Sequence, residues 1–274
     1  MVIHAENDSG AAVIPACINR SHVSLLGEAL FDYRDVLAAG DPDILRRAWQ
    51  QAATATRPFS VTALHGERPR RQWEELGFTT APFCNAPAVR RADIAADDFA
   101  QKHTRSARLL RRLARAGVEV QTHGGGESAL VRQIYEAKAR QLAGVEGNLF
   151  ADRKRIDFMM AVAATDPGCE IFTLETAGAL VAALVTFRDE LHSVRRFYTV
   201  YYEHAWAHES PGVALVFEVT RRSLEQGLDC DYLTGEQPHK NRFATHLAPL
   251  FRVQAEAADL ARISRPAPAF QLAA

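Results

Sequence analysis

The sequence predicts an α/β (α+β) fold in which a mixed central sheet is flanked by helices. In the second half of the chain, stretches with apolar residues at helical spacing alternate with short stretches rich in β-branched and aromatic residues. The order of these elements is β-α-α-β-β-β-α-β-α-β. Two of the predicted strands meet at Ala177-Gly178, a pair typical of a tight hairpin turn, so we expect them to be antiparallel neighbours.

The elements follow from start and stop signals along the chain. Residues 20–96 are predicted to form a small unit with strands in RSHVSLLG and FSVTALHG, helices in DPDILRRAWQQAATA and RPRRQWEELG, and an extended segment in PFCNAPAVRR. The second half is predicted to contain, in order, a helix (97–116), a strand (118–122), two helices (127–142 and 152–164), three strands (169–176, 179–190 and 191–203), a helix (213–226), a strand (228–235), a short helix (239–247) and a last strand (249–257). The tail, 262–274, carries few structure signals.

Composition excludes several classes of protein. The chain has 274 residues, of which 47% are apolar and 24% charged, and its net charge of -1 gives no argument for nucleic-acid binding from bulk charge. The longest strongly apolar stretch, 179–187, is about half of the ~20 residues that a membrane span needs. The first residues lack the basic start and apolar core of a signal peptide, so a cytoplasmic protein without a membrane span is expected.

Metal and disulfide sites are not predicted. The four cysteines are far apart with no CxxC pair, which favours reduced thiols over a zinc ribbon or a disulfide framework. His204 and His208 stand four residues apart but lack a third clustered ligand, so we expect no metal.

A basic helix is predicted at the start of the second half. It carries cations at a spacing near three and four, with no acidic residue from Lys102 to Arg115. This pattern fits two alternatives. The helix could present a solvated face, or it could present a surface that binds an anion such as a sugar nucleotide, a polysaccharide or a tRNA end. No aromatic stripe for stacking on bases accompanies it, which weakens the RNA alternative.

The segment AHESPGVALVFEV joins a predicted strand to a predicted helix. Gly212 lies where the chain must turn, and the first turn of a helix presents unpaired amide groups at the positive end of its dipole. Such a junction suits a phosphate group, although Ser210-Pro211-Gly212 could equally be a simple cap and turn.

A second cluster, GEQPHK, follows the strand predicted at 228–235. A carboxylate or imidazole with a tuned pKa, here Glu236 or His239, could take a proton from an amine nucleophile. Lys240 could steer an anionic substrate or pair with Glu236. A capped loop with a surface salt bridge is the alternative, and the sequence leaves both open.

These features resemble the GNAT (Gcn5-related) acyltransferase fold. Glu209-x-x-Gly212-x-Ala214 stands where that superfamily has Gln/Arg-x-x-Gly-x-Gly/Ala, its loop for the pyrophosphate of acyl-CoA. The sequence is most similar to the cellulose-biosynthesis-type acetyltransferase branch, related to Fem-type peptidyl transferases. That branch shows a basic helix, a Ser-Pro-Gly loop and a late Gly-Glu-x-x-Tyr-Lys motif, where this sequence has His239 in place of the Tyr.

The resemblance covers residues 98 to about 255. It implies a tandem arrangement, with a reduced GNAT-like N-terminal half (1–97) and a GNAT acyltransferase domain (98–274). Glu209 departs from the usual Gln or Arg and would place a like charge near the pyrophosphate unless its side chain turns away.

The implied activity is transfer of an acyl group, acetyl first among them, from acyl-CoA as co-substrate to an amine of an amino sugar, an amino acid or a cell-envelope or polysaccharide precursor. The residues implied are Tyr198, Val200, Ser210, Gly212, Val213 and Ala214 for the co-substrate, Glu236, His239 and Tyr201 for catalysis, and Lys240 and Arg195 for the acceptor. Two alternatives stay open: a Fem-like transferase that uses aminoacyl-tRNA, and a catalytically inactive GNAT-like module that binds a partner. Homodimerisation is also left open.

Overall fold

The computed structural model describes residues 2–27, 32–40, 42–52, 57–146, 148–256 and 258–259, so the tail predicted to lack structure signals lies outside the described residues. The strands are β1 (Val2–Asn7), β2 (Gly10–Ile18), β3 (Val23–Leu25), β4 (Leu37–Gly40), β5 (Phe59–His65), β6 (Thr80–Val89), β7 (Glu119–Gly124), β8 (Cys169–Thr176), β9 (Ala179–Asp189), β10 (Val194–Tyr202), β11 (Asp229–Asp231) and β12 (His246–Ala255). The helices are α1 (Pro42–Ala52), α2 (Glu67–Glu75), α3 (Ala96–Lys102), α4 (Thr104–Arg115), α5 (Ser128–Gln141), α6 (Arg153–Thr165), α7 (Pro211–Glu225) and α8 (Pro238–Phe243). Within these ranges, no helix is both long and apolar enough to cross a membrane.

The chain divides into two compact units. The first contains the residues up to Asn85 together with β12 from Ala248, and the second is Ala86–Leu247. That residues 1–97 form a reduced GNAT-like half stays a prediction.

The first unit is built mainly on antiparallel strand pairs, with β3 parallel to β5. β2 pairs with β1, β3 and β4, and β5 pairs with β12. Its core is an aromatic cluster in which Trp73 packs on Phe59 and Phe78 with ring centroids 5.6 Å and 5.0 Å away. Strands β1, β2 and β4 are absent from the sequence prediction, which begins its first element at residue 20.

The second unit has a mixed sheet with helices on both faces, as predicted. β7, β8, β9 and β10 are successive antiparallel neighbours, β11 is parallel to β10, and the end of β6 is antiparallel to β11. Alternate residues of the central strands bury opposite faces. Phe172 packs with α3, α4 and α7, whereas Ile171 packs with α5 and α6. The turn at Ala177-Gly178 has positive φ at both residues, which confirms the predicted hairpin.

The helix predicted at 97–116 is two helices. The chain leaves helical geometry at His103, with φ −108° and ψ 40°, and α3 ends there while α4 begins. The imidazole of His103 packs against Phe99 and Phe243, with ring centroids 4.6 Å and 5.0 Å away. Helix α4 packs against α7.

Candidate functional site

Strands β10 and β11 separate after a short parallel pairing. Val194 pairs with Asp229 and Arg196 with Asp231, where β11 ends, but β10 continues to Tyr202. Among the described strands, only β9 pairs with this second half of β10. Strands β10 and β11 are therefore parallel neighbours that separate beyond Arg196, and one edge of β10 is left open to a ligand.

A β-bulge lies in this open half of β10. The register against β9 shifts between Phe197 and Thr199, so Tyr198 is the extra residue. Bulges leave backbone groups outside the regular ladder and often lie beside active sites. An amide at this point is suited to donate a hydrogen bond to a ligand carbonyl.

The first turn of α7 packs directly on the end of β10. Ser210, the residue before α7, is left-handed, with φ 49° and ψ 49°, and Pro211 occupies the first helical position. A side chain at Gly212 would contact Val200 and Tyr202, since its Cβ would lie 3.4 Å from Val200 Cγ1 and from Tyr202 Cδ1. Glycine thus allows the helix terminus to approach the strand closely.

The amides of this turn are only partly free. Ser210 N–H donates to the Ala207 carbonyl, and the amides of Val213 and Ala214 donate to the Ser210 carbonyl. Pro211 has no N–H. Among the hydrogen bonds of the described residues, the Gly212 amide has no partner, so it is the group best placed to receive an anion at the positive end of α7.

A cavity of about 820 Å³ opens in front of this turn. Ser210 and Val213 line it on one side and Leu109 on another. Its other contributors are six arginines and one histidine: Arg105, Arg108, Arg111, Arg112, Arg115, Arg242 and His208. The predicted basic helix therefore faces the turn for which the sequence predicts a phosphate site.

Glu209 is neutralised inside this arrangement. Its carboxylate forms an ion pair with Arg112 of α4, and His208 Nε2 lies 3.5 Å from its other oxygen. The like charge that the sequence places beside a phosphate is thus compensated across the cavity. Within the described part of the chain, the other five arginines of the cavity form no ion pair.

His239, on the GEQPHK loop, lies within electrostatic reach of Lys138, which contacts β10. Burial lowers the pKa of His239, and the positive charges of Lys240, Lys138 and Arg242 lower it further. Lys138, on α5, donates from Nζ to the Val200 carbonyl at 2.6 Å, and burial lowers the pKa of its ammonium group. Lys138 therefore lies close enough to influence both His239 and the middle of β10.

The other members of the loop face different surroundings. Lys240 Nζ donates to the Thr234 carbonyl at 2.6 Å, so its ammonium group holds the loop. The Glu236 side chain is exposed, and its backbone carbonyl accepts from Asn241 Nδ2 at 3.3 Å.

Tyr201 and Arg195 lie away from the cavity. Tyr201 is 5% exposed and packs with α5 and α6, and its hydroxyl donates to Glu203 at 2.8 Å. Burial and that carboxylate raise the pKa of Tyr201 to about 12, so it fits a hydrogen-bond donor and not a base.

Arg195 does not fit the predicted contact with the acceptor. Its side chain is fully buried and bonds Ser223, Glu170 and Gln226, with the guanidinium over the Phe172 ring at 5.0 Å. Those partners hold β10 to α7 and β8, which is a structural role.

Two residues of the site, Lys138 and Arg242, were not predicted from the sequence. Lys138 gives no local signal, because a lysine on an amphipathic helix usually faces solvent. Arg242 lies two residues beyond the GEQPHK motif, and only the position of α8 brings it to the cavity.

Solved structures of the same fold extend over nearly the whole chain. The C-terminal domain of a protein assigned as a lysylphosphatidylglycerol synthetase from Agrobacterium fabrum matches with 13% identity and a TM-score of 0.69, covering 95% of this chain and 85% of that one. The L-PGS of Bacillus licheniformis matches with 9% identity and a TM-score of 0.64 over 96% and 86% of the two chains. FemX matches with 9% identity and a TM-score of 0.60 over 92% and 87%. At these identities the likeness shows the fold alone.

A sequence-level family match agrees with this fold. No curated protein matches the sequence. The family model described as "Acetyltransferase (GNAT) domain" matches residues 100–241, just over half of the chain, and this segment contains the residues of the candidate site except Arg242. The chain therefore belongs to the GNAT acetyltransferase domain family.

Proposed function

We propose that this protein is an acyl-CoA-dependent N-acyltransferase that moves an acyl group, acetyl first among them, to an amine acceptor. The observation that carries the proposal is the meeting of two features at one place. The arginine-lined cavity opens at the first turn of α7, and that turn packs on the end of β10, whose neighbouring edge is open. A phosphate-rich carrier in the cavity could therefore lay its acyl arm along β10.

The reaction needs few groups from the protein. The acceptor nitrogen forms a bond to the acyl carbon, the carbon–sulfur bond breaks, and the thiolate leaves as CoA and takes up a proton. A backbone amide at the Tyr198 bulge would stabilise the oxyanion of the intermediate, a contribution of about 3 kcal/mol where such donors have been removed. Tyr198 and Val200 would line the pantetheine arm, and Ser210, Gly212, Val213 and Ala214 would form the phosphate loop.

His239 is the better placed of the two candidate bases. It is half-buried, and its lowered pKa keeps the imidazole neutral near pH 7, the form that accepts a proton from an ammonium acceptor. Glu236 is exposed on the same loop and is the alternative. Tyr201, a protonated phenol, would act only as a hydrogen-bond donor.

The acceptor class is proposed from chemistry alone. An amino sugar, an amino acid, or an amine of a cell-envelope or polysaccharide precursor fits a direct transfer. We expect the reaction to take place in the cytoplasm, where acyl-CoA is made.

Thiol release tests the proposal. The full chain is incubated with acetyl-CoA and single amines from each acceptor class, and free CoA thiol is measured against a reaction without amine. Amine-dependent thiol release together with an acetylated amine by mass spectrometry is the expected result. Tight binding of acetyl-CoA without release by any amine would favour the inactive binding module, and transfer from aminoacyl-tRNA in place of acetyl-CoA would favour the Fem-like alternative.

A further inference from the structure

Helix α5 places a cation at the open edge of β10. Residues of an antiparallel pair alternate between those that exchange hydrogen bonds across the pair and those whose amide and carbonyl point to the other edge. The Glu203 amide donates to the Val181 carbonyl at 2.8 Å, so this pair exchanges hydrogen bonds. The alternation then turns the carbonyls of Val200 and Tyr202 away from β9. Because Lys138 Nζ donates to the Val200 carbonyl at 2.6 Å, its ammonium group lies at the edge that β11 leaves open.

Lys138 has no carboxylate partner within the described ranges. Its ammonium group makes one hydrogen bond there, to Val200, and lies over the Phe150 ring with Nζ 5.8 Å from the ring centroid. Burial lowers the pKa of this group, and no carboxylate of the described residues acts against that effect. An ammonium group has three donors, and buried charges are normally paired. Two donors of Lys138 are therefore available to a ligand.

A group bound at Lys138 would lie beside the reacting atoms of the proposed transfer. Val200 follows the Tyr198 bulge by two residues, which is about 7 Å along a strand. His239 is within electrostatic reach of Lys138, since the lysine lowers the pKa of its imidazole. An acceptor held at Lys138 is therefore close both to the candidate base and to the bulge where the acyl carbonyl is proposed to lie.

The charge of this region selects among the acceptor classes. The charges that act on His239 are all positive and belong to Lys240, Lys138 and Arg242. An amine acceptor is itself a cation near neutral pH, so one without an anionic group would be repelled. A carboxylate on the same molecule cancels that charge and can accept from the two remaining donors. A phosphomonoester, with a charge of about −1.5 to −2, carries more charge than one ammonium group compensates.

We infer that Lys138 binds a carboxylate of the acceptor, and that the acceptor is an amino acid with a free carboxylate. An amino sugar without an acidic group lacks this contact. The inference rests on the proposed function and narrows its acceptor class.

Steady-state kinetics with the full chain and acetyl-CoA tests the inference. The acceptors are the standard L-amino acids, their carboxamides and glucosamine. At least one amino acid should react with a kcat/KM about 10- to 100-fold above that of its carboxamide, the usual worth of a hydrogen bond to a charged group. The amine of a carboxamide is less basic than that of the amino acid and more of it is unprotonated, so without carboxylate recognition the carboxamide would react faster.

Lys138→Met is the informative variant. It keeps an apolar stem and removes the ammonium group, so it should lower the kcat/KM ratio of amino acid to carboxamide about 10- to 100-fold, mainly by raising KM for the amino acid. The accompanying change in the pKa of His239 affects both acceptors and cancels in this ratio.

Gln141→Met is the matched control. Gln141 Nε2 donates to the Tyr202 carbonyl at 3.3 Å, so this variant removes a neighbouring contact of α5 with β10 without a change of charge. It should leave the ratio of amino acid to carboxamide unchanged, whatever it does to the absolute rates.

Each of three results would overturn the inference and leave the proposed function standing. They are a carboxamide that reacts as well as its amino acid, acetylation of other amines without that of any amino acid, and a Lys138 variant that keeps the parental ratio. Absence of amine-dependent thiol release with every acceptor, those of the thiol-release test included, would overturn both.

Discussion

Gly212 is the residue at which the phosphate loop can be tested with least disturbance. A Gly212→Asp substitution should weaken acetyl-CoA binding by about 100-fold or more. Two like charges about 4 Å apart near a protein surface repel each other by roughly 4 kcal/mol. Calorimetry measures the loss.

Gly212→Asn is the matched control, because it has nearly the same shape without the charge. Both side chains must fit against Val200 and Tyr202, 3.4 Å from the added Cβ, so a loss due to packing would be shared by the two variants. Equal affinities of the Asp and Asn variants would show that no phosphate lies at this turn.

Substitution of Glu209 should change the affinity for acetyl-CoA in the opposite direction. Glu209→Gln should free Arg112 from its ion pair and increase the affinity for acetyl-CoA about three- to tenfold at low salt, with the gain shrinking as salt screens the cavity. Glu136→Gln removes an exposed carboxylate paired with Arg132 on α5 and serves as the control. Weaker binding by the Glu209 variant would mean that the carboxylate itself contacts the ligand.

The pH dependence of kcat/KM tests the base. Because burial and nearby cations lower the pKa of His239, kcat/KM should rise with pH through an apparent pKa below the ordinary histidine value of about 6.5 and level off near neutrality. His239→Gln should remove this limb and cost about 10² to 10⁴ in rate. Lys138→Met should move the limb to higher pH, because it removes one of the charges that lower the pKa.

Glu236→Gln is the informative comparison for that experiment. If His239 is the base, this exposed neighbour should leave both the rate and the pH profile near those of the parent. If kcat/KM of the Glu236 variant no longer rose with pH while the His239 variant kept the parental pH profile, Glu236 and not His239 would be the general base.

Individual charged residues were the part of the site least open to prediction from sequence. Arg195 and Arg112 are both arginines within basic segments, yet one is fully buried and the other pairs with Glu209 at the cavity. That difference depends on contacts between residues far apart in the chain, such as Arg195 with Glu170, which no local spacing encodes. The Ser-Pro-Gly turn, by contrast, is a local feature, and its place at the start of α7 could be predicted.

The open half of β10 leads to a prediction about amide hydrogen exchange along this strand. Addition of acetyl-CoA should slow amide hydrogen exchange in residues 198–202 and 210–214, because a ligand would cover the free edge and the first turn of α7. Residues 194–196 are paired on both sides and should exchange slowly with or without ligand. Protection confined to segments outside β10 and α7 would contradict the proposed binding path.

Strong local signals explain which elements could be predicted. The Ala177-Gly178 hairpin and the helix that begins at Pro211 follow from turn and cap chemistry. The β1–β2 hairpin was missed because β2 contains Pro15, which cannot donate to a strand ladder and normally argues against a strand. The break at His103 was missed because the helical spacing continues across it, whereas the packing of His103 on Phe99 and Phe243 involves residues on other elements.

The candidate site belongs to one of the two compact units of the molecule. All the residues of the candidate site lie in the unit Ala86–Leu247, and the GNAT family match falls within it. The mixed sheet with flanking helices could be predicted, since the order of elements along the chain determines it.

A crystal structure of the full chain with acetyl-CoA tests the central claim most directly. The diphosphate should accept a hydrogen bond from the Gly212 amide inside the arginine cavity, the pantetheine arm should occupy the gap beyond Arg196 between β10 and β11, and the thioester carbonyl should face the bulge at Tyr198. Acetyl-CoA bound at another surface, with the open edge of β10 empty, would contradict the proposal that this site transfers an acyl group.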